Sequence, residues 1–205
     1  MRIYLLILLY FIPFTLFAQT FTGLLPTQPF VGVNRACVIF ADIDGDGDQD
    51  LLKTGKNYDD FHQTQLLVND GTGAFTEVNS SLEHVSGGEG SSAFADVDGD
   101  GDQDIILTGS SNSGQITANL YINDGSGNFT LQAGSSFAGV GFGNVAFADV
   151  DGDDDLDVFI GGSGSTFNVG HLYTNDGLGN FIEMSGNDFH TGNGGSADFA
   201  DIDGD

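Results

Sequence analysis

The chain has 205 residues, with four Lys or Arg against 30 Asp or Glu and a formal net charge of −26. So acidic a chain lacks the cationic footprint that nucleic acids and anionic membrane surfaces require, and both are excluded as partners. The acidity is not that of a disordered tail: nineteen of the twenty-six Asp residues sit in four short loops, and the segments between them are apolar and Gly-rich.

At the start of the chain, Arg2 precedes the apolar run 3–17, and Ala18 offers a small residue at a cleavage point before Gln19. This is the layout of a secretory signal peptide over residues 1–18. The run contains Pro13 and is at the short end for a spanning helix, which argues against a membrane anchor. The mature chain, 19–205, is therefore expected to be secreted or at the cell surface, with no stable membrane insertion after signal removal. Cys37 is the only cysteine, so no internal disulfide can form. It precedes the apolar run Val38-Ile39-Phe40, where the other copies described below carry Ser91, Asn144 and Ser196. A buried small side chain is expected there rather than a reactive thiol.

The rest of the chain repeats. Asp42, Asp96, Asp149 and Asp201 open four Asp-rich loops spaced by 54, 53 and 52 residues. Phe-Ala precedes each loop, as Phe40-Ala41, Phe94-Ala95, Phe147-Ala148 and Phe199-Ala200. Apolar runs ending at Gly55, Gly109 and Gly161 follow the complete loops. Further on come the turns Asn69-Asp70-Gly71, Asn123-Asp124-Gly125 and Asn175-Asp176-Gly177, each with a second Gly and then a Phe. No stretch of the mature chain keeps an apolar period of 3.6, so every copy reads as strands. In the second copy these fall at 93–95, 104–108, 118–122 and 129–132, with a polar loop at 109–115 and the Asp-Gly turn before the last strand.

Four short antiparallel strands per repeat match one blade of a β-propeller. A β-sandwich is the alternative, but it has no reason to repeat its loops at a fixed period. The fold expected is all-β, with blades at about 31–84, 85–138 and 139–190 and the start of a fourth at 191–205. A ring of four to eight such blades takes roughly 210–420 residues. The chain is accordingly expected to be an N-terminal fragment carrying an incomplete ring of about three blades.

Numbered from its first Asp, each loop has carboxylates at positions 1, 3, 5 and 9, while position 7 is free to offer its backbone carbonyl. Like charges at this density repel unless a cation lies between them. Five oxygen donors, completed by a water or a second carboxylate oxygen, suit Ca2+. Mg2+ prefers a tighter octahedron and keeps its water; zinc wants His or Cys, which the loops lack. An EF-hand is rejected, because its Glu at position 12 is replaced by Lys53, Leu107 and Ile160 and the flanks are strand-like. In the third loop Asp154 stands where Gly47 and Gly101 hold position 6. Asp tolerates a positive φ better than most residues, so binding should survive there with some strain.

The run Phe-Ala-Asp-Val-Asp-Gly-Asp-Gly-Asp-Gln-Asp-Ile-Ile, with Gly-rich approaches such as Gly141-Phe142-Gly143-Asn144, resembles the FG-GAP/VCBS repeat, and the integrin α-chain propeller uses related repeats. The resemblance runs from about residue 31 to 205. It implies structural calcium in loops that join the first two strands of each blade. The matching ligands are Asp42, Asp44, Asp46, Asp48 through its carbonyl, and Asp50. Asp96, Asp98, Asp100, Asp102 and Asp104 match likewise, as do Asp149, Asp151, Asp153, Asp155 and Asp157. The fourth copy supplies Asp201, Asp203 and Asp205 without a position-9 carboxylate, so an empty or weak site is expected there.

No catalytic constellation emerges. Carboxylates clamped on calcium stay ionised and make poor general acids, and the four His residues do not recur at one repeat position. The sequons Asn79-Ser80-Ser81 and Asn128-Phe129-Thr130 are short patterns that arise readily by chance. The segments that diverge between copies, 56–65, 110–117 and 162–170, join strands two and three and would gather on one face of a propeller. The first holds Tyr58, Phe61 and His62, an aromatic and polar mix that suits a sugar ring. The expected function is a calcium-binding extracellular module for adhesion or for binding a protein or carbohydrate ligand, not itself an enzyme. The alternatives are the non-catalytic part of a polysaccharide-active enzyme and a passive spacer.

Overall fold

A computed structural model of the chain describes residues 30–86, 92–134, 136–186, 189–192 and 195–202. The expected signal peptide, Asp203 and Asp205 lie outside these. The described residues form three four-stranded antiparallel sheets and no helix. The first comprises β1 (Asn34–Ala41), β2 (Asp50–Lys56), β3 (His62–Asn69) and β4 (Phe75–Val78). The second comprises β5 (Ser92–Ala95), β6 (Asp104–Ser110), β7 (Ile116–Asn123) and β8 (Phe129–Leu131). The third comprises β9 (Gly141–Ala148), β10 (Asp157–Ser163), β11 (Asn168–Asn175) and β12 (Phe181–Glu183). Strands are ordered as in the chain within every sheet, the up-and-down meander of a propeller blade. The first strands are neighbours, β1 lying beside β5 and β5 beside β9. The architecture is that of three propeller blades in an incomplete ring.

The second strand of each blade reads as an apolar run because both of its faces are covered. Ile105 and Leu107 point towards the first blade, where they pack with Ile43, Leu52 and Leu66. Ile106, with the opposite pleat, packs with Val158 and Ile160 of the third blade. The core is therefore two slabs between blades, not one centre. The segment entering each blade closes the slab edge. Tyr121 Oη accepts the Glu83 N–H at 3.1 Å, and Tyr173 Oη accepts the Ala138 N–H at 2.9 Å. Phe137 stacks edge-on against Tyr173, with ring centroids 5.0 Å apart. In the first blade Phe30 meets Phe75 at 5.8 Å. Phe40 of β1 is 55% exposed, whereas its counterparts Phe94 and Phe147 pack against the two slabs.

Several expected boundaries shift. The second strands run on to Lys56, Ser110 and Ser163, and the third strands begin at His62, Ile116 and Asn168. The divergent segments therefore shrink to turns at 57–61, 111–115 and 164–167. The residues lost from them pair across β2–β3, β6–β7 and β10–β11, with Lys56 opposite His62 and Ser110 opposite Ile116. Cys37 is half-buried, and burial pushes its thiol pKa up, which disfavours the reactive thiolate.

Candidate metal centres

The Asp loops connect the first and second strands of each blade, and the Asn-Asp-Gly turns connect the third and fourth. An antiparallel meander puts both at one end of a blade and the 57–61, 111–115 and 164–167 turns at the other.

Each loop coils around its own carboxylates. At position 1, Asp42 accepts the Gly45 N–H on Oδ1 at 2.8 Å and the Gly47 N–H on Oδ2 at 2.9 Å. Asp96 binds Gly99 and Gly101 in the same way, and Asp149 binds Gly152 and Asp154. This coil needs left-handed backbone at position 6, where Gly47 has φ +93° and Gly101 +95°. Asp154 adopts +72° as a non-Gly residue. Asp154→Gly should relieve that strain and raise the unfolding free energy by about 1 kcal/mol, measured by denaturant unfolding at saturating metal.

Position 9 is the anchor. Asp50, Asp104 and Asp157 open β2, β6 and β10 and are almost fully buried, at 0%, 1% and 0% exposure. Asp104 Oδ2 accepts the Val97 N–H at 3.1 Å and Oδ1 the Asn123 N–H at 2.8 Å. Asp50 does the same with Ile43 and Asn69, and Asp157 with Val150 and Asn175. One carboxylate thus ties its own loop to the Asn-Asp-Gly turn of the same blade.

Positions 1, 3 and 9 converge. One oxygen from each of Asp42, Asp44 and Asp50 lies within 4.8 Å of the others, and the sets Asp96, Asp98, Asp104 and Asp149, Asp151, Asp157 repeat the arrangement. Position 5, expected as a fourth side-chain ligand, stands outside these sets. Asp46, Asp100 and Asp153 instead accept the backbone N–H of the residue two places on. The position-7 side chains turn away, as a carbonyl-only role requires. A Cβ on Gly71 would fall 2.3 Å from Asp48 Oδ2, and Asp102 and Asp155 crowd Gly125 and Gly177 equally closely. These glycines also have φ near +74°, so the turn is Gly for two reasons.

The electrostatics fit a cation. Asp44 Oδ1 is enclosed and accepts no hydrogen bond, although it is one of three clustered carboxylates. Burial raises the Asp50 pKa, with Asp44 and Asp46 adding repulsion. Burial pushes Asp104 up to about 6 against the pull of its two backbone N–H donors, with Asp98 and Asp100 repelling it further. Burial also raises Asp98, with the Asp100 charge second. A bound cation reverses this logic by favouring the ionised form. Three carboxylates with only oxygen donors around them can hold a hard metal ion, and all three loops fit.

The other expected site is not assembled as expected. Tyr58 is 99% exposed and Phe61 is exposed, both in the 57–61 turn, but His62 is buried at the start of β3. Its backbone N–H donates to Asn112 Oδ1 at 2.8 Å, and Asn112 Nδ2 donates back to the His62 carbonyl at 3.1 Å. His62 thus joins two neighbouring turns and does not share an open surface with Tyr58. Asp201 carries no cluster among the described residues.

The Asn of each Asn-Asp-Gly turn does more than form the turn: it contacts the acidic loop directly, and its spacing of 18 or 19 residues from the position-9 Asp is the signal in the sequence.

No curated protein sequence matches the chain. A family model of the FG-GAP-like repeat matches residues 42–107 and again 96–160, taking in all three complete acidic loops. Those matches span more than half of the 205 residues, and with three meander blades carrying the loops between their first two strands, the chain belongs to the FG-GAP-like repeat family.

Proposed function

We propose that the chain is a secreted, calcium-stabilised propeller module that binds a protein or carbohydrate ligand outside the cell, as in adhesion. Calcium is the preferred ion because each loop offers carboxylate and carbonyl oxygens and neither His nor Cys. The apolar segment after Arg2 and the small residue Ala18 before Gln19 support export. The reading assigns no catalytic residue.

The observation that carries the ligand surface is the 57–61 turn, rigid in its backbone and apolar at its tip. Asn57 Oδ1 accepts the N–H groups of Asp59 and Phe61, both at 3.0 Å, and Lys56 pairs with Asp60 at 3.4 Å. Tyr58 projects from this turn almost fully exposed, and Phe167 of the 164–167 turn is also exposed. Aromatic groups on a fixed frame lose little entropy on binding, which suits a sugar face or a peptide.

The test is to screen the chain on glycan and matrix-protein arrays with calcium present, then repeat with Tyr58→Ala/Phe61→Ala. Binding should weaken at least tenfold in the double variant, with calcium stoichiometry and melting temperature unchanged. Absence of any ligand on the arrays would contradict this reading and favour a passive spacer.

A further inference from the structure

The Asn that opens each Asn-Asp-Gly turn touches two acidic loops at once. Asn123 gives its backbone N–H to Asp104 of its own loop at 2.8 Å. Its side-chain Nδ2 reaches 80 residues back to the carbonyl of Ile43, position 2 of the first loop, at 2.8 Å. Asn175 repeats the arrangement one blade later, with its N–H on Asp157 at 2.9 Å and Nδ2 on the Val97 carbonyl at 2.8 Å. Both side chains also bond weakly within their own loop, to the Gln103 and Leu156 carbonyls at 3.3 and 3.2 Å.

The residues held in this way sit where the loop and the blade interface meet. Ile43 lies between two carboxylates of the first cluster, Asp42 and Asp44, and its side chain is buried in the slab against the second blade. Val97 lies between Asp96 and Asp98 and is buried against the third. The second Gly of each turn completes the grip. A Cβ on Gly127 would sit 3.6 Å from Ile43, and the Gly179 N–H donates to the Val97 carbonyl at 3.0 Å. The first and second loops are therefore each fixed from two sides, by their own blade through position 9 and by the following blade through position 2. In the third loop the matching residue, Val150, is partly exposed, and among the described residues no such Asn reaches it.

We propose that Asn123 and Asn175 are positioning residues for the metal loop of the preceding blade, making blade docking and metal affinity interdependent. The proposal rests on the calcium reading above. Neither side chain is a ligand; each holds the backbone between two ligands in register, and a carbonyl fixed there keeps positions 1 and 3 converged on position 9. Loss of such an outer contact lowers metal affinity by about 10-fold to 100-fold in other sites. Any substitution except proline keeps the backbone N–H arm to Asp104, so a side-chain variant removes the contact to Ile43 and the weaker one to Gln103 while the position-9 tie stays.

The experiment titrates calcium into full-chain variants with one intact loop. Asp98→Asn/Asp151→Asn leaves the first loop, and Asp44→Asn/Asp98→Asn leaves the third. Adding Asn123→Leu should weaken the first loop about tenfold and leave the third unchanged, with circular dichroism at saturating calcium reporting an intact fold. Should Asn123→Leu not fold, Asn175→Leu gives the same comparison at the other interface, weakening the second loop in an Asp44→Asn/Asp151→Asn parent and sparing the first in Asp98→Asn/Asp151→Asn. Equal losses at both loops, or a first-loop affinity within twofold of its parent, overturn the proposal. Absence of calcium binding to the unmodified chain instead overturns the calcium reading on which it rests.

Discussion

Asp104→Asn should destabilise the calcium-saturated protein by about 3–5 kcal/mol, or a fall in melting temperature on the order of 10 °C for a domain of this size. Asp104 is 1% exposed, both its oxygens accept backbone N–H groups, and it belongs to the second cluster. The substitution removes a carboxylate from the proposed metal cluster and turns an amide N–H₂ towards a backbone donor, leaving a buried group unpaired. In the chelated protein the sign of one contribution reverses. There Asp104 is a buried carboxylate repelled by Asp98 and Asp100, and Asn relieves that repulsion. The same variant should therefore cost less than about 1 kcal/mol without metal. Melting curves of both proteins with and without chelator measure the difference, and an equal loss in both states would mean that Asp104 acts only as a structural hydrogen-bond acceptor.

Without metal, the Asp104 contribution to stability should fall as the pH rises from 5 to 7.5. Asp104 titrates at about 6 in the fold against 3.8 for the free group, so the folded state holds the proton more tightly. A raised carboxylate contributes stability below its unfolded pKa and loses it as the pH passes its folded pKa. Between pH 5 and 7.5 this amounts to about 1–2 kcal/mol, and Asp50 acts in the same direction. Asp70, Asp124 and Asp176 are held low by hydrogen bonds within their exposed turns. They titrate below the window, whereas His62, its pKa lowered by burial, acts in the opposite direction within it. The Asp104 share is therefore the difference in slope between the chain and Asp104→Asn. Saturating calcium should reverse the slope, since the ion competes with the proton for the same oxygens. A chelated Asp104→Asn variant whose melting temperature has the same pH slope as the parent would contradict the assigned burial of Asp104.

Much of the architecture is legible in the sequence because the constraints are local. The Asp loops announce their backbone through Gly47 and Gly101, and Asp154 takes the same left-handed conformation that its place in the repeat demands. The run Ile105-Ile106-Leu107 tells of a strand covered on both faces, and the structure buries all three completely. What escaped the sequence depends on contacts between blades. Period and composition cannot show that Asn123 bonds to Ile43, because the two are 80 residues apart and each also has a sufficient local role. The close clustering of positions 1, 3 and 9 is likewise a matter of loop curvature, which alternate spacing along the chain does not encode. His62 looked like a loop residue because its neighbours diverge between copies, yet pairing with Lys56 extends β3 over it.

If the three loops bind calcium and the ion fastens the blades, stability must rise with occupancy. Calorimetric titration of calcium into chelator-treated protein at pH 7.5, followed by a melt at each point, tests it most directly. Three ions should bind per chain, the third loop weakest, with a melting temperature that climbs with occupancy, and Asp104→Asn should bind one ion fewer. No binding heat, with a melting temperature indifferent to calcium and chelator alike, would contradict it.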